Sequence, residues 1–181
     1  HLACKPEHAV DLDTGIIETY AGTGEAAATP EGAPVHGTPL KGPRTLAMAR
    51  NGDLFLALRE GNAIVRIDAK TQTLHRVAGT GKAGYSGDGG PALEATFDGP
   101  KWVHVGPDGM VYIVDTENHC VHRYAPGTRA IANAAGGRTG TGRDGRPAPV
   151  AAMSRPPGPR AAPDGRMYPA ETHNHRHSTP T

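Results

Sequence analysis

Two short stretches of this chain concentrate side chains that could do chemistry. Gly84-Tyr85-Ser86-Gly87-Asp88-Gly89-Gly90 sets a phenol, a hydroxyl and a carboxylate among glycines, and Asp115-Thr116-Glu117-Asn118-His119 brings carboxylates, a carboxamide and an imidazole into one turn. Such groups suit recognition of a polar ligand, so Tyr85, Ser86, Asp88, Asp115, Glu117, Asn118 and His119 form the candidate binding set. A structural role competes. Asp and Asn side chains bond to their own backbone two residues on, so Asp115 and Asn118 equally suit holding a turn, and Asp88 capping the loop. Glycine-rich loops can cradle phosphate, but phosphate loops lead into a helix with a Lys at fixed spacing, and here Glu94-Ala95-Thr96-Phe97-Asp98 follows instead. Calcium at Asp88 would need backbone carbonyls to complete it, and a tight site wants several carboxylates. No other cofactor is expected.

Lys101 and His104 are the candidates for a second location, a strand lining an interior channel; a lone histidine there is ordinarily a wall residue. The tail Thr172-His173-Asn174-His175-Arg176-His177 alternates imidazoles in a way that could hold zinc or nickel adventitiously. Cys4 and Cys120 make at most one bridge and lack metal-type spacing, and unpaired thiols are the simpler reading.

The elements that must position these groups come from an internal repeat. Ala21-Gly22-Thr23-Gly24 returns as Ala78-Gly79-Thr80-Gly81 and Gly42-Pro43 as Gly99-Pro100, both 57 residues on. The same shift superposes Asp11 on Asp68, Gly32 on Gly89, Pro34 on Pro91, Gly52 on Gly109 and Glu60 on Glu117. A third copy follows at a shift of 56, with Asp88 on Asp144 and Pro107-Asp108-Gly109 on Pro163-Asp164-Gly165. A period of this size means stacked supersecondary units.

Within a copy the signals are all β. Lys101 to Gly106 reads as a strand, Asp108-Gly109 as a hairpin turn, Met110 to Val114 as a second strand apolar on both faces, Cys120 to Tyr124 as a third and Arg129 to Ala134 as a fourth. The preceding copy gives Asn51-Gly52 as the turn, then Leu54 to Leu58, Ala63 to Ile67 and Leu74 to Ala78. Four antiparallel strands with both faces apolar are what a propeller blade needs to pack between neighbours.

Gly99-Pro100, Pro107-Asp108-Gly109, Val111-Tyr112-Ile113 and Asp115-Thr116-Glu117-Asn118-His119 together resemble an NHL repeat, with Cys120 where leucine would stand. The Ala78 to Ala92 stretch is similar to the long inter-blade loop of bacterial members, and the likeness spans roughly residues 8 to 155. The resemblance implies a β-propeller, commonly of six blades, that binds proteins and sometimes nucleic acid or small molecules. It also favours an extracytoplasmic setting.

The expected fold is therefore all-β: the end of one blade with its loop over 1–40, full blades over 41–98 and 99–155, and a degenerate partial blade over 156–181. In that last stretch Pro159 and Pro169 fall where ladder N–H donors are required, which predicts loose packing. At 57 residues per unit, 181 residues make about three units, whereas closed propellers take about four to eight. The expectation is a piece of a longer propeller, or a protomer that closes the ring by self-association.

Charge and composition narrow the partner. Lys+Arg 19 against Asp+Glu 18 lacks the basic excess of a phosphate-backbone binder, so nucleic acid is disfavoured. No apolar run approaches the roughly 20 residues that span a bilayer, so no membrane partner is expected. Gly 25 and Pro 17 put turns at short intervals. In an up-and-down blade the turns after the second and fourth strands emerge together, bringing the Asp115–His119 turn beside the Tyr85–Gly89 loop. The leading expectation is a non-catalytic scaffold binding a protein or glycan through this loop face. The alternative is part of a metal-dependent propeller enzyme of lactonase or amidating-lyase kind; its ligands would lie in other blades, because the two intact inner strands offer Arg44, Met48, Lys101 and His104 but no carboxylate.

Overall fold

Apolar runs of five or six residues cut by Asn-Gly and Asp-Gly turns leave no length for long helices, and the structure, a computed structural model, is built of short strands. It describes residues 8–10, 17–137, 147–156, 158–161, 167–171 and 176–177, the strands at either end of the chain by backbone only. In chain order the strands are β1 (His8–Val10), β2 (Ile17–Thr19), β3 (Pro43–Met48), β4 (Leu54–Leu58), β5 (Ala63–Ile67), β6 (Leu74–Ala78), β7 (Pro100–Val105), β8 (Val111–Asp115), β9 (Cys120–Ala125), β10 (Ala130–Gly136), β11 (Pro159–Ala161), β12 (Met167–Glu171) and β13 (Arg176–His177).

Strands β3 to β6 form one antiparallel four-stranded meander and β7 to β10 a second, each in sequence order. Their hairpins turn where glycine supplies the positive φ that other residues resist: Gly52 at 89° and Gly109 at 77°. Strand edges differ slightly from the sequence expectation in the second sheet, with β7 and β8 displaced by a residue, so Asp115 is the last residue of a strand and not the first of a turn.

The innermost strands lie side by side. The Thr45 hydroxyl of β3 donates to the Lys101 carbonyl of β7 at 3.1 Å and accepts from the Val103 N–H at 3.0 Å. Between the sheets Phe55 and Ile64 meet Val103, Ile113, Tyr124 and Ile131, with Phe97 entering from the connecting loop. Phe55 and Tyr124 meet edge-to-face at 6.5 Å. Each such large apolar side chain, fully buried, contributes about 1.5–3 kcal/mol. The opposite face of the first sheet packs Leu56, Leu58, Val65, Ile67 and Leu74 beneath Ala21, Val35 and Leu40 of the preceding loop.

Both loops dock on their sheets through the same backbone bonds. Gly32 N–H donates to Leu74 O and Gly89 N–H to Ile131 O, each at 2.8 Å; Val35 N–H to Gln72 O and Ala92 N–H to Arg129 O, each at 2.9 Å. Seams between blades repeat as well. Asn62 and His119, both with positive φ, turn their side chains forward to accept a backbone N–H of the next segment, Gly99 to Asn62 Oδ1 and Arg155 to His119 Nδ1, each at 3.0 Å.

Of the stretch expected to pack loosely, the described residues form a three-stranded sheet, β11-β12-β13, in which Pro159 stands opposite Pro169. Cys4 and His173, Asn174 and His175 lie outside the described residues.

Candidate functional site

Strand alternation places Ile113 and Asp115 of β8, and Cys120, His122 and Tyr124 of β9, on the face that looks toward the first blade. Tyr124 and Ile113 join the apolar core. Further along the same face the character changes: Asp115 and Cys120 are fully buried and His122 is 1% exposed. The glycine-rich loop closes over them.

His122 is held from both ring nitrogens. Nδ1 lies 3.0 Å from Asp88 Oδ1, and Nε2 lies 3.3 Å from Cys120 Sγ and 3.4 Å from Asp115 Oδ2. The rings of Phe97 and Tyr85 flank it at 5.3 and 6.0 Å. Asp115 is anchored in turn, Oδ1 accepting the Asp98 N–H at 2.8 Å and Oδ2 the Asn118 amide at 2.7 Å. Asn118 also donates to Gly84 O at 2.7 Å, tying the turn to the loop. The loop reaches in so closely because Gly87, at φ 95°, passes where a Cβ would lie 2.6 Å from the Ala95 Cα.

Electrostatics follow from this packing. Burial pulls the imidazolium pKa down, but hydrogen bonds to Asp115, Asp88 and Cys120 outweigh it and push His122 up to about 11. The His122 hydrogen bond holds the Asp88 carboxyl below its ordinary range, even against partial burial. Burial, with the nearby Cys120 and Asp88, raises the Tyr85 hydroxyl to about 12, and burial raises the Cys120 thiol. Cys120, His122 and Asp88 thus have the connectivity of a nucleophile, a base and an orienting carboxylate. A reactive cysteine needs an accessible thiolate, and here the sulfur is buried and its thiol form favoured.

The structure brings together Tyr85, Asp88, Asp115 and Asn118 from the candidate set. Asp115 points inward, where the sequence expectation had it on the binding face, because it closes β8 opposite Cys120. Ser86 stays exposed, its hydroxyl 2.8 Å from that of Thr96. Glu117 and His119 sit at the blade seam: Glu117 pairs with Arg59 at 3.4 Å, with Lys101 at 3.9 Å and with Arg155, while His119 clasps the next segment. Lys101 and His104 are half-buried on β7. A cleft of about 220 Å³ at the first loop is lined by Gly22, Gly24, Glu25, Leu40, Pro43 and Arg44, among others. The sequence expectation missed Cys120 and His122 as members of the cluster. The signal was present in the repeat: 57 residues earlier stand Ala63 and Val65, and Leu58 stands where Asp115 does.

No family model matches the chain, and no curated protein matches it. Solved structures do. An auxiliary nutrient binding protein from Bacteroides thetaiotaomicron is 17% identical with a TM-score of 0.70, covering 96% of this chain and 43% of its own. A protein of unknown function from the same organism is 15% identical with a TM-score of 0.72, covering 96% and 42%. A virginiamycin B lyase from Staphylococcus aureus, crystallised as an inactive variant with quinupristin, is 14% identical with a TM-score of 0.55, covering 96% and 44%. The chain thus spans about two-fifths of the length of these proteins. At such identities the likeness is one of fold, and the fold is an all-β partial propeller.

Proposed function

We propose that this chain belongs to a non-catalytic propeller scaffold of the NHL type, binding a protein, a glycan or another polar ligand through its loop face. The observation that carries the reading is the loop over 78–99. It is long yet fixed, pinned to the blade by backbone bonds and by Asp88 and Asn118, and it holds Tyr85 at 47% exposure beside exposed Ser86. Long loops on rigid scaffolds carry recognition, and a pre-ordered aromatic loses little entropy on binding. Likeness to an auxiliary nutrient binding protein supports the same reading. The enzyme alternative draws on likeness to the lyase, but the inner strands β3 and β7 contain no carboxylate to hold a catalytic metal.

Calorimetric titration of the chain against a panel of oligosaccharides and peptides tests the proposal. A ligand should emerge whose affinity falls at least tenfold in Tyr85→Ala, on the order of 2 kcal/mol for an aromatic anchor. A ligand bound equally well by Tyr85→Ala and Ser86→Ala would move recognition off this face.

A further inference from the structure

Beneath the loop, independent of whatever the loop binds, lies a set of donors that blade architecture does not call for. At the equivalent positions the first blade has Leu58, Ala63 and Val65, all buried. The second has Asp115, Cys120 and His122, whose donor atoms all lie within 4.8 Å of one another and are all buried. Carboxylate, thiolate and imidazole from one hairpin make a mixed ligand set.

We propose that Asp115, Cys120 and His122 form a binding site for a divalent transition metal of the zinc class, which fastens the glycine-rich loop to the second blade.

The distances that serve as hydrogen bonds in the metal-free protein also accommodate an ion. A charged N–H to carboxylate bond is about 2.7–2.9 Å, whereas His122 Nε2 stands 3.4 Å from Asp115 Oδ2 and, at 3.3 Å, equally close to Cys120 Sγ. Tetrahedral zinc, with bonds of about 2.3 Å to sulfur and about 2.0–2.1 Å to nitrogen and oxygen, sets N···S and N···O edges near about 3.5 and about 3.3 Å. The two edges at His122 match that geometry, and the third, between Cys120 and Asp115, is within 4.8 Å.

The surrounding shell has the matching form. A ligating histidine ordinarily gives its other nitrogen to a carboxylate, which fixes the ring and raises its basicity; Asp88 stands on Nδ1 at 3.0 Å. Asp115 is oriented by the Asp98 N–H and the Asn118 amide. Sulfur and imidazole select zinc, cobalt or copper over calcium or magnesium. Metal–sulfur and metal–nitrogen bonds form as the thiol proton and the Nε2 proton leave to solvent. Thiolate and Asp115 then neutralise the ion, the condition for burying it. Asp88 enters from the loop, so loop and hairpin are joined through the ligated imidazole.

Cobalt is the probe. The chain, stripped with a chelator and titrated with cobalt(II), should develop a thiolate-to-cobalt charge-transfer band that is complete at one equivalent bound to this site, and zinc should displace it. Cys120→Ser should abolish the band. Cys4→Ser leaves Cys120 as the one thiol in the sequence and should retain it. Asp88→Asn should keep the band while weakening cobalt binding about 10- to 100-fold. Cobalt uptake without a thiolate band, as the histidine-rich tail would give, overturns the proposal. So does a band that persists in Cys120→Ser or vanishes in Cys4→Ser.

Discussion

The two blades wear the same loop over opposite kinds of interior. Residues 32–35 and 89–92 follow one backbone path, donating at matched positions to Leu74 of β6 and Ile131 of β10 and to Gln72 and Arg129 just before those strands, and Ala21, Val35 and Leu40 recur as Ala78, Ala92 and Phe97. Under the first loop the lining is apolar, and the loop carboxylate Glu31 turns to the edge strand, 2.8 Å from His75 Nδ1 and from the Arg76 N–H. Under the second loop the carboxylate Asp88 turns inward to a buried histidine. Backbone docking therefore does not depend on what fills the space beneath, and the polar interior is an addition to the fold.

His122→Val should show this most sharply. In metal-free protein it leaves Asp115 buried without its cation and lowers unfolding stability by about 3–5 kcal/mol, read from the urea midpoint. Truncating the equivalent loop anchors, Leu40→Ala and Phe97→Ala, should each cost about 2–5 kcal/mol. Near-equal losses would confirm that both loops are held by the same apolar contact. The triple replacement Asp115→Leu, Cys120→Ala, His122→Val, which restores the first blade's residues, should be neutral or stabilising by up to about 4 kcal/mol. A triple variant as damaged as His122→Val would mean that the second blade depends on its polar interior.

Acid gives a smaller effect. The hydrogen bond to His122 lowers the Asp88 pKa. For Glu31, partial burial raises it, and the Arg76 N–H and His75 outweigh that and lower it. A depressed carboxyl contributes stability above its unfolded value and loses it as pH falls through the folded one, so both contributions fade between about pH 5 and pH 1. Asp88→Asn should remove about 1–3 kcal/mol of that acid-sensitive stability, and Glu31→Gln, at a solvent-exposed pair, less than about 1 kcal/mol. His122 has the opposite sign: raised to about 11, its contribution is complete below its unfolded value and disappears as pH rises through 11.

Much of the fold was legible because turns and period are local signals. Asn51-Gly52 and Asp108-Gly109 had to be turns, and the strands between them followed within a residue or two. Proximity of the Asp115–His119 turn to the Tyr85–Gly89 loop followed from up-and-down connectivity. The interior cluster was not legible, for a physical reason. A blade buries both faces, so alternation along Cys120-Val121-His122 does not say which face meets the loop. Asp88 and His122, moreover, are 34 residues apart. Comparison of Val65 with His122 across the repeat, more than any motif, marks the position.

The seam clasps have a directional consequence. Asn62 and His119 each belong to a blade already complete in sequence when they capture the first N–H of the segment that follows. During synthesis, where folding proceeds from the N-terminus onward, each of these two blades, once finished, presents a ready acceptor to the segment that follows it. These two blades can thus be laid down in order, each templating the entry of the segment after it.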